Sequence, residues 1–255
     1  MFLKENGSFP RAGVTQLVEC DLAKVDVAGS NPVSRSIALF PKTAMMKRLV
    51  FVSAVAVLVA ASVFAQDYKL EPITAAAPGL PVAYAGLIDS QGYRVAGPKG
   101  PWCEIWFRKA IPTGAKGSDD TVVLPLAQGT LLGVLRFPGT GGDRRGQTIK
   151  PGVYTLRYSN YPVDGAHQGA APQRDFALLT PIAADADPNA APAFDALVQQ
   201  SIKGCGTPHP AVLSLEAAGG AGAAALAKEG DTDWVLKLKA GGVELGIILV
   251  GKAEG

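Results

Sequence analysis

The feature that most constrains this fold is a succession of short runs with a two-residue period, separated by glycine and proline. In Gly152–Asn160, large apolar side chains alternate with smaller or polar ones, as in a strand with one face on a core. Strands are predicted on similar grounds at Gly92–Ala96, Trp102–Lys109, Leu131–Phe137, Phe176–Thr180, Val212–Leu215, Trp234–Lys239 and Val243–Val250.

The strand predicted at Trp102–Lys109 has bulky residues on both faces. Alternation places Cys103, Ile105 and Phe107 on one face, and Trp102, Glu104, Trp106 and Arg108 on the other. We therefore expect this strand to be covered on both sides.

Helical periodicity is sparse, and one segment carries it. Within Ala193–Lys203, apolar residues at helical spacing (Phe194, Leu197, Val198 and Ile202) predict a short amphipathic helix, with Gly204 as its stop. The pair Gly241-Gly242 predicts a tight hairpin between the last two strands.

Short strands, Gly/Pro-rich turns and one short helix predict an all-β fold, a β-sandwich or jelly-roll-like single domain over residues 87–255. Residues 66–86 are rich in Ala and Pro without a period, and predict an irregular segment before the domain. The Ala/Gly-rich segment Ala217–Lys228 fits either a flexible loop or a weak helix.

Residues 45–65 have the organisation of a signal peptide. Lys47 and Arg48 precede an apolar run, Leu49–Phe64, and Ala65 provides a small residue at a cleavage site before Gln66. The run is shorter than the roughly 20 residues that span a bilayer. We expect a periplasmic or secreted protein with no integral membrane anchor after cleavage; an uncleaved N-terminal anchor is the alternative.

Residues 1–44 are predicted to be a spurious N-terminal extension. The segment Gly13–Ser36 resembles the peptide obtained when a transfer-RNA gene is translated, and Gly29-Ser30-Asn31-Pro32 matches the T-arm of such genes.

Charge argues against nucleic acid as a partner. Seven of the 24 basic and four of the 22 acidic residues lie in residues 1–65, which leaves 17 basic and 18 acidic residues in the mature chain. A net charge of −1 without a basic run lacks the electrostatic footprint of a nucleic-acid-binding domain.

The motifs of the chain favour a binding protein over an enzyme and leave the question open. No G-x-S-x-G nucleophile elbow occurs. The Gly-rich stretch Gly139–Gly146 lacks the Gly-Lys-Ser/Thr ending of a phosphate loop and predicts a surface hairpin. No cofactor is predicted, although a divalent metal is an alternative.

That alternative rests on the chain's two histidines. His167 and His209, with Asp164 or Asp175, would make a two-His, one-carboxylate set for a divalent metal or a general base. Arg174 belongs to the same polar group of candidate binding residues. The competing interpretation is structural: His167 is solvated in a polar loop, His209 lies between two prolines that stiffen another loop, and Arg174 forms an ion pair with Asp175.

Two further groups have open interpretations. Cys103 and Cys205 would form a disulfide in an oxidising compartment, or remain separate buried thiols. Five aromatic residues would line a carbohydrate or peptide groove, or, as is commoner, pack in the core: Trp102, Trp106, Tyr154, Tyr158 and Tyr161.

Four segments resemble a family of uncharacterised secreted proteins of acidobacteria and related soil bacteria. They are Ile149–Tyr158 (IKPGVYTLRY), Tyr161–Pro181 (YPVDGAHQGAAPQRDFALLTP), Gly206–Leu215 (GTPHPAVLSL) and Val250–Gly255 (VGKAEG). The resemblance implies export and supplies no catalytic residues. With the strand pattern, it predicts an exported ligand-binding or envelope-associated module; a metal-binding protein or metal-dependent enzyme using His167 and His209 is the alternative.

The first prediction concerns the mature N-terminus. Intact-mass analysis of the protein recovered outside the cytoplasm of an expressing bacterium will give a chain that starts near Gln66, because the signal peptide is removed during export. Recovery of a chain that retains Gly13–Ser36 would contradict both the cleavage site and the spurious extension.

Overall fold

Strands dominate the part of the chain that the structure, a computed structural model, describes: residues 67–114, 122–162 and 173–253. In chain order they are β1 (Lys69–Ile73), β2 (Ile88–Gly97), β3 (Gly100–Arg108), β4 (Leu131–Phe137), β5 (Gly141–Gly142), β6 (Thr148–Ile149), β7 (Gly152–Asn160), β8 (Asp175–Pro181), β9 (Val212–Glu216), β10 (Ala225–Glu229), β11 (Asp233–Ala240) and β12 (Val243–Val250). The helices are α1 (Val82–Ala85) and α2 (Phe194–Cys205), and a 3-10 turn covers Ile182–Ala184. These residues belong to one compact unit, Ser62–Gly255.

Ten of the strands form one antiparallel sheet in the order β1-β2-β3-β4-β7-β8-β9-β12-β11-β10. The prediction of an all-β single domain with one short helix is confirmed, since α1 is a single turn. The sheet curls until it is nearly barrel-shaped, instead of dividing into two separate halves. Alternation in the sequence is the same for both arrangements, because either one gives each strand an inner and an outer face.

Irregular register helps the sheet to curl. The pairing of β2 with β3 shifts at two points; at one of them Val95 pairs with Cys103 but Ala96 pairs with Pro101. The pairing of β4 with β7 shifts near Gly133. A Cβ on Gly133 would collide with the backbone of Trp106 and Phe107 on β3, so glycine permits the close approach of β4. Such bulges bend and twist a strand locally.

The curled sheet has a seam between its two edge strands. No pairing register joins β1 to β10, and the two strands come close at only a few positions. Leu70 from β1 and Leu226 from β10 both pack against the interior core. Side chains therefore close the seam, whereas hydrogen bonds join every other neighbouring pair in the sheet.

The sheet encloses a large apolar core and is covered outside by two smaller ones. Inward residues of the strands make the interior, among them Ile105, Leu135, Leu156 and Ile247. Outside, the segment that contains α1 covers Trp106 and Val134, and α2 covers Phe176 and Leu178. The predicted two-sided cover of β3 is confirmed, because Cys103 through Phe107 are all buried.

One end of the sheet is closed by a loop that Asp175 holds in place. The side chains of Leu124 and Leu126 fill the interior there. The Asp175 carboxylate accepts hydrogen bonds from the backbone N–H groups of Val123 (2.9 Å) and Leu124 (3.1 Å) and from the Tyr158 hydroxyl (2.6 Å). We call this the plugged end, and the opposite end, where β5 pairs with β6, the hairpin end.

Charged side chains form a ladder across the outer face of β1 to β4. Glu71, Arg94, Glu104 and Arg136 lie opposite one another in register, and Glu104 accepts from both arginines at 2.7–2.9 Å. Burial acts to raise the pKa of Glu104, but hydrogen bonds and charge from Arg136 and Arg94 outweigh it and hold the pKa below its usual value.

Two segments differ from the sequence-based expectations. Residues 66–86 contain β1 and α1 instead of an irregular segment, and Ala217–Lys228 contains most of β10 instead of a loop or helix. Both missed strands are edge strands and largely exposed, so they lack the apolar alternation of a strand that faces a core.

No helix in the described ranges is long and apolar enough to cross a bilayer.

The predicted helix forms, with a shifted end. It runs past Gly204 to Cys205, and Gly206 ends it in the left-handed conformation (φ 70°). Gly204 is needed for packing, since a Cβ there would collide with the ring of Pro181. The hairpin at Gly241-Gly242 is confirmed, with φ of 55° and 92°.

A buried ion pair fixes the segment after β8 against the outer face of β7. Arg157, fully buried, donates to both carboxylate oxygens of Asp185 at 2.7–2.8 Å, and Thr155 donates to the same carboxylate. Arg157 also donates to the carbonyls of Gly129, Ala190 and Asp187. Burial alone would lower the pKa of Arg157, but the hydrogen bonds and charge of Asp185 raise it above its usual value, so the guanidinium stays charged.

The ion pair yields a stability prediction. Asp185→Ala leaves the Arg157 charge buried without its counter-ion, and we expect the free energy of unfolding to fall by about 3–5 kcal/mol. The control is Glu71→Gln, which removes a half-exposed contact to Arg94 (3.8 Å) and should cost about 1 kcal/mol or less. Urea denaturation followed by tryptophan fluorescence measures both. Equal, small losses would show that the buried pair does not hold the segment.

Candidate functional site

Three partly exposed aromatic rings meet at the hairpin end of the seam. Tyr68, just before β1, contacts Trp102 on β3 (ring centroids 6.4 Å apart, 75° between planes) and Trp234 on β11 (5.6 Å, 60°). Edge-to-face contacts of this kind are favourable arrangements of aromatic pairs. The rings therefore join β1 to β11 across the seam, where the sheet itself has no hydrogen bonds.

A bulge in β3 directs Trp102 to this position. Trp102 is the extra residue between the paired positions Pro101 and Cys103, so it leaves the outer face that simple alternation predicts. Its indole packs beside Phe137 of the interior core, and its N–H donates to the carbonyl of Leu249 at 2.8 Å. The expectation that Trp102 shares a face with Trp106 is wrong for this reason.

Three adjoining clefts surround these rings, and we call them together the aromatic cleft. One of about 240 Å³ lies between the β5–β6 hairpin and the end of β12, beside Trp102. A second, about 380 Å³, lies between Tyr68, Lys99 and Gly139. The third, about 310 Å³, lies between Tyr68, Trp234 and Thr232. The clefts share lining residues: the first and second share Trp102, the second and third share Tyr68, and the first and third share Val250 and Gly251.

The β5–β6 hairpin builds one wall of the aromatic cleft. It occupies the place where β9 and β12 separate, since those strands share only two paired positions, Gly246 with Glu216 and Ile247 with Leu215. Asp143 shapes the turn by accepting from the N–H groups of Arg145 and Gln147 and from the Gln147 amide. The surface hairpin predicted over Gly139–Gly146, in place of a phosphate loop, is thus confirmed.

Tyr68 provides a neutral polar group within the cleft. Burial, with a smaller contribution from Cys103, raises the pKa of its phenol above the usual value. The hydroxyl therefore stays protonated at physiological pH and can both donate and accept a hydrogen bond.

The structure separates the candidate binding residues inferred from the sequence. Asp175 holds the plugged end, with both carboxylate oxygens engaged. Arg174 donates to the backbone carbonyl of Tyr161 at 2.5 and 2.9 Å. Asp164 and His167 lie outside the described residues.

His209 lies far from Asp175. The Leu179 N–H donates to the Ala211 carbonyl, so His209 precedes β9 and lies beside the end of β8 at Pro181. Asp175 begins β8, roughly 20 Å away along the strand. The His209 side chain is exposed, and its backbone N–H donates to Gln147. Across residues 67–114, 122–162 and 173–253, no group of three or more His, Cys, Asp and Glu side chains is placed to hold a metal ion.

Cys103 and Cys205 are buried free thiols in the structure, and no disulfide joins them. Cys103 faces the interior from β3, and Cys205 ends α2 beside the Leu179 carbonyl. Burial raises the pKa of both thiols, that of Cys205 to about 11, so neither is a thiolate at neutral pH.

The aromatic residues singled out from the sequence divide by burial. Trp106, Tyr154, Tyr158 and Tyr161 are buried and pack, as the commoner interpretation predicts. Trp102 lines the aromatic cleft. Tyr68 and Trp234 were not among the residues singled out from the sequence. The pattern that could have identified them is an aromatic residue at the start of an edge or near-edge strand, next to glycine and charged residues.

Comparison with protein-family models, with curated proteins and with solved structures finds no match to this chain.

Proposed function

We propose that this chain is an exported binding protein that holds a carbohydrate chain in the aromatic cleft. The observation that carries the proposal is the cluster of three partly exposed rings, Tyr68, Trp102 and Trp234, surrounded by adjoining clefts at one end of the sheet.

The chemistry of the cleft matches that of a sugar. A pyranose ring has an apolar C–H face and a rim of hydroxyls. Aromatic rings carry negative charge on their faces, which attracts polarised C–H groups. Thr140 and the Tyr68 hydroxyl provide neutral hydrogen-bonding groups beside the rings. A largely apolar cleft with a few polar groups is the usual form of a binding site.

Glycine gives such a ligand access to the backbone. A Cβ added to Gly139 would have no other heavy atom within 4 Å, and the φ angle of this residue is not in the left-handed region. The fold itself therefore does not require glycine there. Gly142 similarly has ordinary space beside Trp102. Walls without side chains let a ligand approach the backbone closely.

Export supports a role outside the cytoplasm. The signal-peptide pattern of residues 45–65 and the resemblance to secreted proteins both favour a periplasmic or secreted location. Polysaccharides are abundant there, and a binding module needs no catalytic group.

The proposal predicts that soluble polysaccharides bind and alter tryptophan emission. Two of the chain's three tryptophans, Trp102 and Trp234, lie in the aromatic cleft, and Trp106 is buried elsewhere. In a Trp106→Phe background, a panel of dextran, xylan, chitin oligosaccharides and polygalacturonate will include at least one member that shifts the emission and retards the protein in affinity gels. A panel without any such member would contradict the proposal.

A steric variant tests the location without removing an aromatic ring. Gly139→Leu projects a side chain into the cleft, and we expect binding of the active polysaccharide to weaken at least about tenfold, because displaced ligand contacts are lost. The control is Gly86→Leu, at an exposed position with equal free space outside the aromatic cleft and φ of −79°. Equal affinity of both variants and wild type would place the ligand elsewhere.

A further inference from the structure

Two charged side chains of the β5–β6 hairpin beside the aromatic cleft, Asp143 and Arg144, are engaged within the protein. Asp143 is buried and accepts three hydrogen bonds from its own hairpin. Arg144 donates to Asp233 at 2.9 Å, and both side chains are mostly buried. Because these charges are balanced or satisfied internally, they exert little net attraction or repulsion on a ligand.

Three exposed lysines remain on the rim. Lys99 lines the cleft beside Gly139, and Lys228 and Lys252 line the cleft beside Trp234. Lys237, on the adjoining strand β11, is by contrast engaged with Glu216 and Glu229. No described carboxylate forms an ion pair with any of the three rim lysines, and Asp231 is the one exposed acidic residue among the lining groups.

We propose that the carbohydrate bound in the aromatic cleft is acidic, a polymer that carries uronate carboxylates along its chain. This inference rests on the proposed function and deepens it. The rings would contact sugar faces, while Lys99, Lys228 and Lys252 would contact carboxylates on both sides of Tyr68. Opposite charges at the rim add attraction that salt screens, and they favour an anionic chain over a neutral one.

A single-stranded nucleic acid is the other polyanion that rings and lysines would attract. The ring geometry favours the uronate. Tyr68 lies at 75° to Trp102 and at 60° to Trp234, so these rings offer no row of parallel faces on which successive bases would stack.

The test compares polymers that share a backbone and differ in charge. Polygalacturonate and its fully methyl-esterified form are titrated into the mature protein, with oligo-dT of similar length as a third probe. We expect polygalacturonate to bind about tenfold or more tighter than the ester, and the difference to shrink as NaCl rises from low to high concentration.

Matched variants assign the charge effect to the rim. The triple variant Lys99→Gln, Lys228→Gln, Lys252→Gln should weaken polygalacturonate binding by about tenfold, as expected for three exposed ion pairs. The control removes the same charge elsewhere: Lys109→Gln, Lys203→Gln, Lys239→Gln, three exposed lysines outside the aromatic cleft. Its affinity should stay within about twofold of wild type, since distant charges are screened.

The outcomes separate this inference from the proposed function. Equal affinity for polygalacturonate and its ester, or equal loss in both triple variants, would overturn the acidic ligand and leave carbohydrate binding intact. No binding of any polysaccharide would overturn both. Oligo-dT that binds as tightly as polygalacturonate would replace the uronate by a general polyanion.

Discussion

The seam between β1 and β10 is the constraint on which the rest of the structure depends. A curled antiparallel sheet must either pair its edge strands or protect them in another way. In this protein no register joins the edges, and packing closes the gap: Leu70 and Leu226 inside, and Tyr68 against Trp234 and Trp102 at the hairpin end. Because rings rather than a hydrogen-bonded ladder close that end, aromatic surface stays partly exposed there, and clefts form around it.

At the remaining openings of the sheet, a loop and a hairpin are held in place by polar side chains that are hydrogen-bonded within the protein. Asp175 holds the loop at the plugged end, and Asp143 and Gln147 hold the hairpin where β9 and β12 separate. The ion pair of Arg157 with Asp185 fixes the outer cover of β7. Each is a buried or nearly buried polar group with several partners, as the cost of burying such groups requires. Their common role is structural, whereas the ligand we propose lies in the aromatic cleft.

Much of the fold was predictable from the sequence because central strands bury alternate residues. Every strand predicted from that alternation is present, and α2 follows its helical period. The edge strands β1 and β10 were not predicted, because their exposure removes the alternation of apolar and polar residues. The curling of the sheet was not predictable either, since a curled sheet has the same sequence pattern as two packed sheets.

The candidate site was harder to predict than the fold. Trp102 was identified, but the bulge that turns it to the cleft depends on pairing, and the meeting of Tyr68 with Trp234 depends on the seam. Asp175 and His209 failed to come together because β8 and β9 place them at opposite ends of a strand.

Hydrogen–deuterium exchange of backbone amides in the mature protein tests the seam most directly. We expect alternation along β1 and β10: amides that face β2 or β11 exchange slowly, and amides that face the seam exchange quickly, while β4 and β7 are protected throughout. Uniform protection along β1 and β10, at the level of β4 and β7, would mean that hydrogen bonds close the sheet. An unpaired seam could then not be the origin of the aromatic cleft.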